Sequence, residues 1–212
     1  FPIASTRERV RDFARGLDTL AQTRSARSVH AVLSSVNGWT DARGLRTALD
    51  ARSKRDKEEL LKMVALQEEL DWLCYELYGL DDGGKPLPVE QVTPLPPTWL
   101  PWALNLATRD AEIRELLSRG KDPEELPTVW FERHGWAPLT ALPPEAPKAL
   151  RARIEARRER IAASPALTLI ESPNFKRRWY HPDYAAEEKQ ALELWLAERV
   201  EAATKERGRH FT

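Results

Sequence analysis

Asp56-Lys-Glu-Glu-Leu-Leu-Lys-Met-Val-Ala-Leu-Gln-Glu-Glu-Leu-Asp-Trp-Leu-Cys-Tyr-Glu-Leu-Tyr78 is the longest periodic stretch of this sequence. Leu60, Met63, Leu66, Leu70, Leu73 and Leu77 recur every three or four residues, the spacing that lines up side chains on one face of an α-helix. Gly79 follows where a helix would stop. The stretch predicts a long helix whose apolar stripe belongs to a core rather than to a cofactor. Trp72, Tyr75 and Tyr78 add bulk around its end.

Towards the N-terminus, Ser5-Thr-Arg-Glu8 reads as a capping box. It predicts a first helix with Val10, Phe13, Leu17 and Leu20 on one face and Arg7, Arg11 and Arg15 on another. A short second helix is expected from Ser28 to Val36, ending at Asn37-Gly38, and Asp41 is placed to cap a third through Leu45 and Leu49. Beyond the long helix, Asp81 to Pro101 contains Pro86, Pro88, Pro94, Pro96, Pro97 and Pro101. Prolines remove backbone donors and forbid helix, and no strand alternation is present. This segment reads as an extended connector, packed down by Trp99 and Trp102. Helical patterns resume through Ile113, Leu116 and Leu117 to Gly120, from Glu145 to Ala163, and from Tyr184 to Ala203. The last has Ala191, Leu194, Trp195, Leu196 and Val200 on its apolar side. The expected fold is all-α, an irregular helical bundle in two lobes, residues 1–80 and 102–212, joined by the proline-rich connector 81–101.

Charge is balanced overall, with 33 Lys and Arg against 33 Asp and Glu, so the total points to no partner. Its distribution is uneven. Residues 1–55 hold 11 basic and 5 acidic residues, 148–178 hold 9 and 3, and 183–203 hold 2 and 6. Two basic zones and an acidic last helix are thus concealed in a neutral sum. Cys74 is the single cysteine, which excludes an intrachain disulfide and a multi-cysteine zinc site. Its place in an apolar helix predicts a buried small hydrophobe. A reducing, cytoplasmic setting is the expectation, with no apolar run of membrane-spanning length and no signal peptide. A chain that begins with Phe1 and lacks an export signal is expected to be a piece of a longer protein.

Ile170-Glu-Ser-Pro-Asn-Phe-Lys-Arg-Arg-Trp179 interrupts the helical pattern. Pro173 disfavours helix at Ser172 and Asn174 favours a turn. Lys176, Arg177 and Arg178 follow between Phe175 and Trp179, whose rings would pin the segment while the cations face out. Fixed cations suit a phosphate backbone, although a plain solvated loop would have the same composition. Arg153 and Arg157 lie one helical turn apart on the preceding helix. Together with Lys176, Arg177 and Arg178 they are expected to form one exposed positive surface.

Catalytic patterns are scarce. There is no glycine-rich dinucleotide or phosphate loop, and His30, His134, His181 and His210 lack metal-ligand spacing. In Thr128-Val-Trp-Phe-Glu-Arg-His-Gly-Trp136, Glu132 and His134 would share a face on a strand and could form an acid/base pair. With no third partner, a hydrogen-bonded structural knot is the competing reading, and the one expected for His134.

Three blocks resemble the C-terminal part of the PglX-like adenine-specific DNA methyltransferases of BREX phage-exclusion systems. They are Glu68-Glu-Leu-Asp-Trp-Leu-Cys-Tyr-Glu-Leu-Tyr-Gly-Leu80, the Trp130-Phe-Glu-Arg-His-Gly135 block running to Pro143, and Ile161 to Trp179. The last is similar to the family's Ile-Glu-x-Pro-Glu-Tyr-Lys-Arg-Arg-Trp, and Ala191 to Val200 resembles its closing helix. The family's catalytic Asn/Asp-Pro-Pro-Tyr/Phe is missing: Pro96-Pro97 precedes Thr98, and Pro143-Pro144 precedes Glu145. The resemblance therefore implies no catalytic residue and no cofactor in this chain, and S-adenosylmethionine only for the parent protein. It implies a non-catalytic region for DNA engagement or partner docking; that double-stranded DNA is met through Arg153, Arg157, Lys176, Arg177 and Arg178 is expected from their charge and spacing, with no role carried over from the family. The alternative is a module that docks other phage-defence proteins through the acidic last helix or exposed tryptophans.

Overall fold

The computed structural model describes residues 3–35, 42–176 and 179–209. Eight α-helices and two single 3-10 turns make up its regular structure, with no strand among the described residues. The all-α expectation holds. The helices are α1 (Ile3–Ala26), α2 (Val29–Ser34), α3 (Ala42–Leu77), α4 (Pro101–Ser118), α5 (Trp130–His134), α6 (Lys148–Ala163), α7 (Pro165–Ile170) and α8 (Tyr184–Arg209). No described helix is long and apolar enough to cross a membrane.

The expected third and fourth helices are one. No Gly or Pro interrupts Leu45 to Tyr78, so α3 runs unbroken. α1 starts ahead of Ser5, which places the expected capping box inside the helix rather than at its end. Asn37, Gly38 and Asp41 lie outside the described residues. Ser164-Pro165 both ends α6 and opens α7. The Ser164 hydroxyl caps the Leu167 N–H at 3.3 Å, and Pro165 takes the first helical position, where its missing donor costs nothing.

The chain divides into two compact units, the first Phe1–Leu17 with Leu60–His181, the second Asp18–Glu59 with Pro182–Thr212. The expected lobes are drawn differently: segment 81–101 lies wholly inside the first unit, and residues 182–212 group with 18–59.

In the first unit, Trp72, Tyr75, Ile161 and Leu167 form an apolar cluster against which Ile170 packs. The proline-rich segment carries only the turns Val89–Gln91 and Pro97–Trp99 and is strapped onto helices. The Leu95 N–H donates to the Leu61 carbonyl at 3.0 Å, Lys62 donates to the Val92 carbonyl, and Arg9 donates to the Pro86 carbonyl at 2.9 Å. The segment's own Val92, Leu95 and Leu100 are buried.

In the second unit, Val29, Leu33 and Leu49 form the core, covered by Val32, Leu45, Ala191, Leu192 and Trp195. Here the basic N-terminal zone meets the acidic last helix. Arg46 grips Glu188 at 2.8 and 2.9 Å, Arg52 grips Glu187 at 2.7 and 2.8 Å, and Arg24 grips Asp56 at 2.9 Å through two nitrogens. Tyr184 also donates to Asp56 at 3.0 Å. These arginines neutralise nearby carboxylates instead of forming an open basic face.

Candidate functional site

Leu150, Ile154, Arg157 and Ile161 all lie on the buried face of α6, so a guanidinium enters the core at a position the helical repeat assigns to an apolar side chain. Arg157 is 1% exposed. Its two terminal nitrogens bind Glu69 at 2.9 and 2.7 Å, one of them also reaching Glu68 at 3.4 Å. Its Nε donates to the Gly84 carbonyl at 3.1 Å, and its plane lies over Trp72 at 5.0 Å. Gly84 must be glycine, because a Cβ there would run into the Trp72 ring. This bidentate, stacked arrangement is one that arginine alone can make.

The turn after α7 adds a second buried cation. Lys176, 4% exposed, donates from Nζ to Asp71 at 2.7 Å and pairs with Glu171 at 2.9 Å. Burial alone would lower its pKa, but Glu171, Asp71 and Glu68 outweigh that and hold it above the ordinary lysine value. Tyr75 donates its hydroxyl to Glu171, and the Trp72 indole donates to Glu68 at 2.6 Å. Burial, then Glu171 and Asp71, push the Tyr75 phenol up. Arg153 lies 3.8 Å from Glu69, mostly buried. Four carboxyl groups, of Glu68, Glu69, Asp71 and Glu171, thus meet three cations, Arg153, Arg157 and Lys176. Desolvation, reinforced by Glu171, pushes the Glu68 carboxyl up to about 7. Glu68 Oε2 and Glu171 Oε2 are buried without a hydrogen-bond partner.

The expected exposed surface of Arg153, Arg157 and Lys176 is therefore corrected. These three come together, but inside the first unit, facing acids of α3. Arg177 and Arg178 lie outside the described residues. The other arginines of α6 also have internal acceptors. Arg151 donates to the Leu142 and Pro143 carbonyls, Arg158 to Asn105 and Glu155, and Arg160 to Asp81.

Sequence reading missed Glu68, Glu69 and Asp71 as partners, because charged residues beside an apolar stripe look like a solvated face. The available signal was Arg157 itself, an arginine in stripe register.

Both neighbours of Arg177-Arg178 are tied down. The Trp130 indole donates to the Lys176 carbonyl at 2.9 Å, and the Trp136 indole donates to the carbonyl of buried Trp179 at 2.6 Å. Phe175, expected as an anchor, is 59% exposed; Lys176 takes its place. The Trp130 knot forms helix α5, so Glu132 and His134 do not share a face: Glu132 is exposed and His134 buried. That geometry rules out the acid/base pair. His134 donates from Nδ1 to the Trp130 carbonyl at 2.8 Å and is sandwiched between Trp130 and Tyr180, with ring centroids 4.2 and 4.1 Å away. Cys74 is half-buried, and burial raises its thiol pKa, so it is no ready thiolate. Among the described residues, no group of three or more His, Cys, Asp or Glu could hold a metal ion.

Comparison with known proteins defines the class. Residues 63–210 match the family described as Domain of unknown function (DUF7008), and the chain belongs to that family. It is also 34% identical over 187 residues to the adenine-specific methyltransferase PglX of Streptomyces coelicolor, a match covering 87% of this chain and 14% of that protein. The chain thus corresponds to a small region of a PglX-like protein, as its motifs suggested. No solved structure matches it.

Proposed function

We propose that this chain is a non-catalytic, DNA-engaging region of a PglX-like adenine-N6 DNA methyltransferase acting in phage defence in the cytoplasm. Similarity to PglX supports the parent activity. The lack of an Asn/Asp-Pro-Pro-Tyr/Phe motif in the sequence supports assigning methyl transfer, and the S-adenosylmethionine it consumes, to another part of the parent. The observation that carries the DNA reading is the double tether around Arg177-Arg178. Lys176 and Trp179 are both buried, and each has its carbonyl held by an indole N–H. Arg177 and Arg178 stand in sequence between these two tethered residues, and two adjacent cations suit a phosphate backbone.

Fluorescence anisotropy with a labelled duplex tests this across a salt series. Arg177→Ala/Arg178→Ala should weaken binding and lower the slope of log K against log salt by about two units, roughly one per lost phosphate contact. Unchanged affinity and slope in a folded double variant would remove the reading.

One observation favours the alternative of docking to other defence proteins: Leu194, Leu196 and Val200 stand largely exposed on α8. Leu196→Glu/Val200→Glu should then abolish partner capture while leaving duplex binding intact.

A further inference from the structure

The three-ring column Trp130–His134–Tyr180 ends in solvent. Trp130 and His134 are buried and nearly parallel, with 12° between their planes. Tyr180 lies on the other face of His134 at an interplanar angle of 21°, and is 53% exposed. Spacing and tilt are those of stacked aromatic planes. His134 is held through Nδ1, and its own carbonyl accepts the His181 N–H at 2.7 Å. Its edge also lines a cleft of about 260 Å3 shared with Thr128, Arg133, Pro173 and Asn174. Arg133 is exposed there, on the same short helix as His134. A ring with one face covered by His134 and half its surface in water, with exposed Arg133 next to His134 in sequence, matches the chemistry of an unpaired base and its phosphate. Every base has a π face to stack, and a guanidinium can meet a phosphate.

We propose that Tyr180 is a stacking platform for an unpaired DNA base, with Arg133 contacting the adjacent phosphate. This rests on the DNA-engaging reading and narrows it to a base outside the duplex stack. A methyltransferase that modifies a base must extrude it, so unpaired bases are part of the substrate's chemistry. The exposed, pre-stacked ring of Tyr180 makes such a base, rather than paired duplex, the fitting occupant.

The test uses the 212-residue chain with three probes: a single-stranded oligonucleotide, a fully paired duplex, and the same duplex carrying one bulged 2-aminopurine. The wild type should bind the first and third more tightly than the second and quench the 2-aminopurine. Tyr180→Phe should match the wild type, while Tyr180→Leu should lose about tenfold or more on the first and third probes and change little on the paired duplex. Arg133→Ala, at an exposed position, should lower the single-strand salt slope by about 0.7. It serves as the second arm if Tyr180→Leu does not fold. Equal wild-type affinity for all three probes overturns the proposal and leaves the DNA reading standing. Undiminished single-strand binding by folded Tyr180→Leu, or an unchanged slope in Arg133→Ala, overturns it too and leaves the ring to a protein contact. Failure to bind any DNA overturns both readings.

Discussion

Removing the Arg157 side chain would leave Glu69 buried without its bidentate partner. Breaking one half of a buried ion pair costs on the order of 3–5 kcal/mol, whereas replacing both halves by apolar groups is often close to neutral. Arg157→Leu should therefore lose about that much stability in urea denaturation, and Glu69→Leu/Arg157→Leu should recover much of it. A loss below about 1 kcal/mol in the single variant would show that the pair is not the clamp its 2.7–2.9 Å geometry indicates. Glu68 makes a separate prediction. Its carboxyl is pushed up to about 7 from an ordinary 4.5, first by desolvation and then by Glu171. The folded chain then holds this proton between those pH values while the unfolded chain releases it. Its contribution to stability should fall as pH rises across that window, with a slope approaching about 1.4 kcal/mol per pH unit. Glu68→Gln stays neutral throughout and can still accept from Trp72. Relative to wild type it should gain stability from pH 5 to pH 8, and parallel melting curves across that range would show Glu68 ionised in both states.

At the scale of elements, the sequence reveals what repeats and conceals what is buried by charge. The stripe from Leu60 to Leu77 announced α3, yet its N-terminal half was read as a separate helix. Around residues 51–56 the burial falls on Arg52 and Asp56, and charged side chains leave no apolar period. The same blindness turned α6 into an exposed basic helix. Its arginines find acceptors on α3, on Asn105 and Asp81, and in the carbonyls near Pro143, all remote in sequence and invisible until the chain folds. The Trp130–Trp136 block was legible as a packed aromatic knot but not as helix, because five residues are too few to show a period. Gly135 ends that helix with φ +71°, and a Cβ there would sit 3.1 Å from the Cβ of His181. Gly135→Ala should cost about 1–2 kcal/mol, the penalty of left-handed backbone for an L residue, before any shift of His181. A melting temperature equal to wild type would mean that the turn relaxes freely.

At the scale of the molecule, neutrality conceals charge blocks that complement one another. Arg24, Arg27, Arg46 and Arg52 are matched by acids within the second unit, and Arg153, Arg157, Arg158 and Arg160 of α6 by acids within the first. Desolvation offsets much of the attraction within buried ion pairs, so the net stability of each unit comes mainly from its own apolar cluster. In the second unit that cluster is Val29, Leu33 and Leu49, with Trp195 of α8 closing one side. Truncating a half-buried tryptophan on a small core should cost about 3 kcal/mol, at the low end for aromatic-to-Ala changes. Trp195→Ala should then lower the free energy of opening locally, because the cluster holding Trp72, Tyr75, Ile161 and Leu167 shares none of its side chains. Hydrogen exchange followed by mass spectrometry reads this directly. Peptides from 29–34 and 184–206 should exchange tens of times faster in the variant, and those from 150–170 should keep the wild-type rate. Equal acceleration in both sets would show instead that the continuous α3, which supplies residues to both units, makes them open as one.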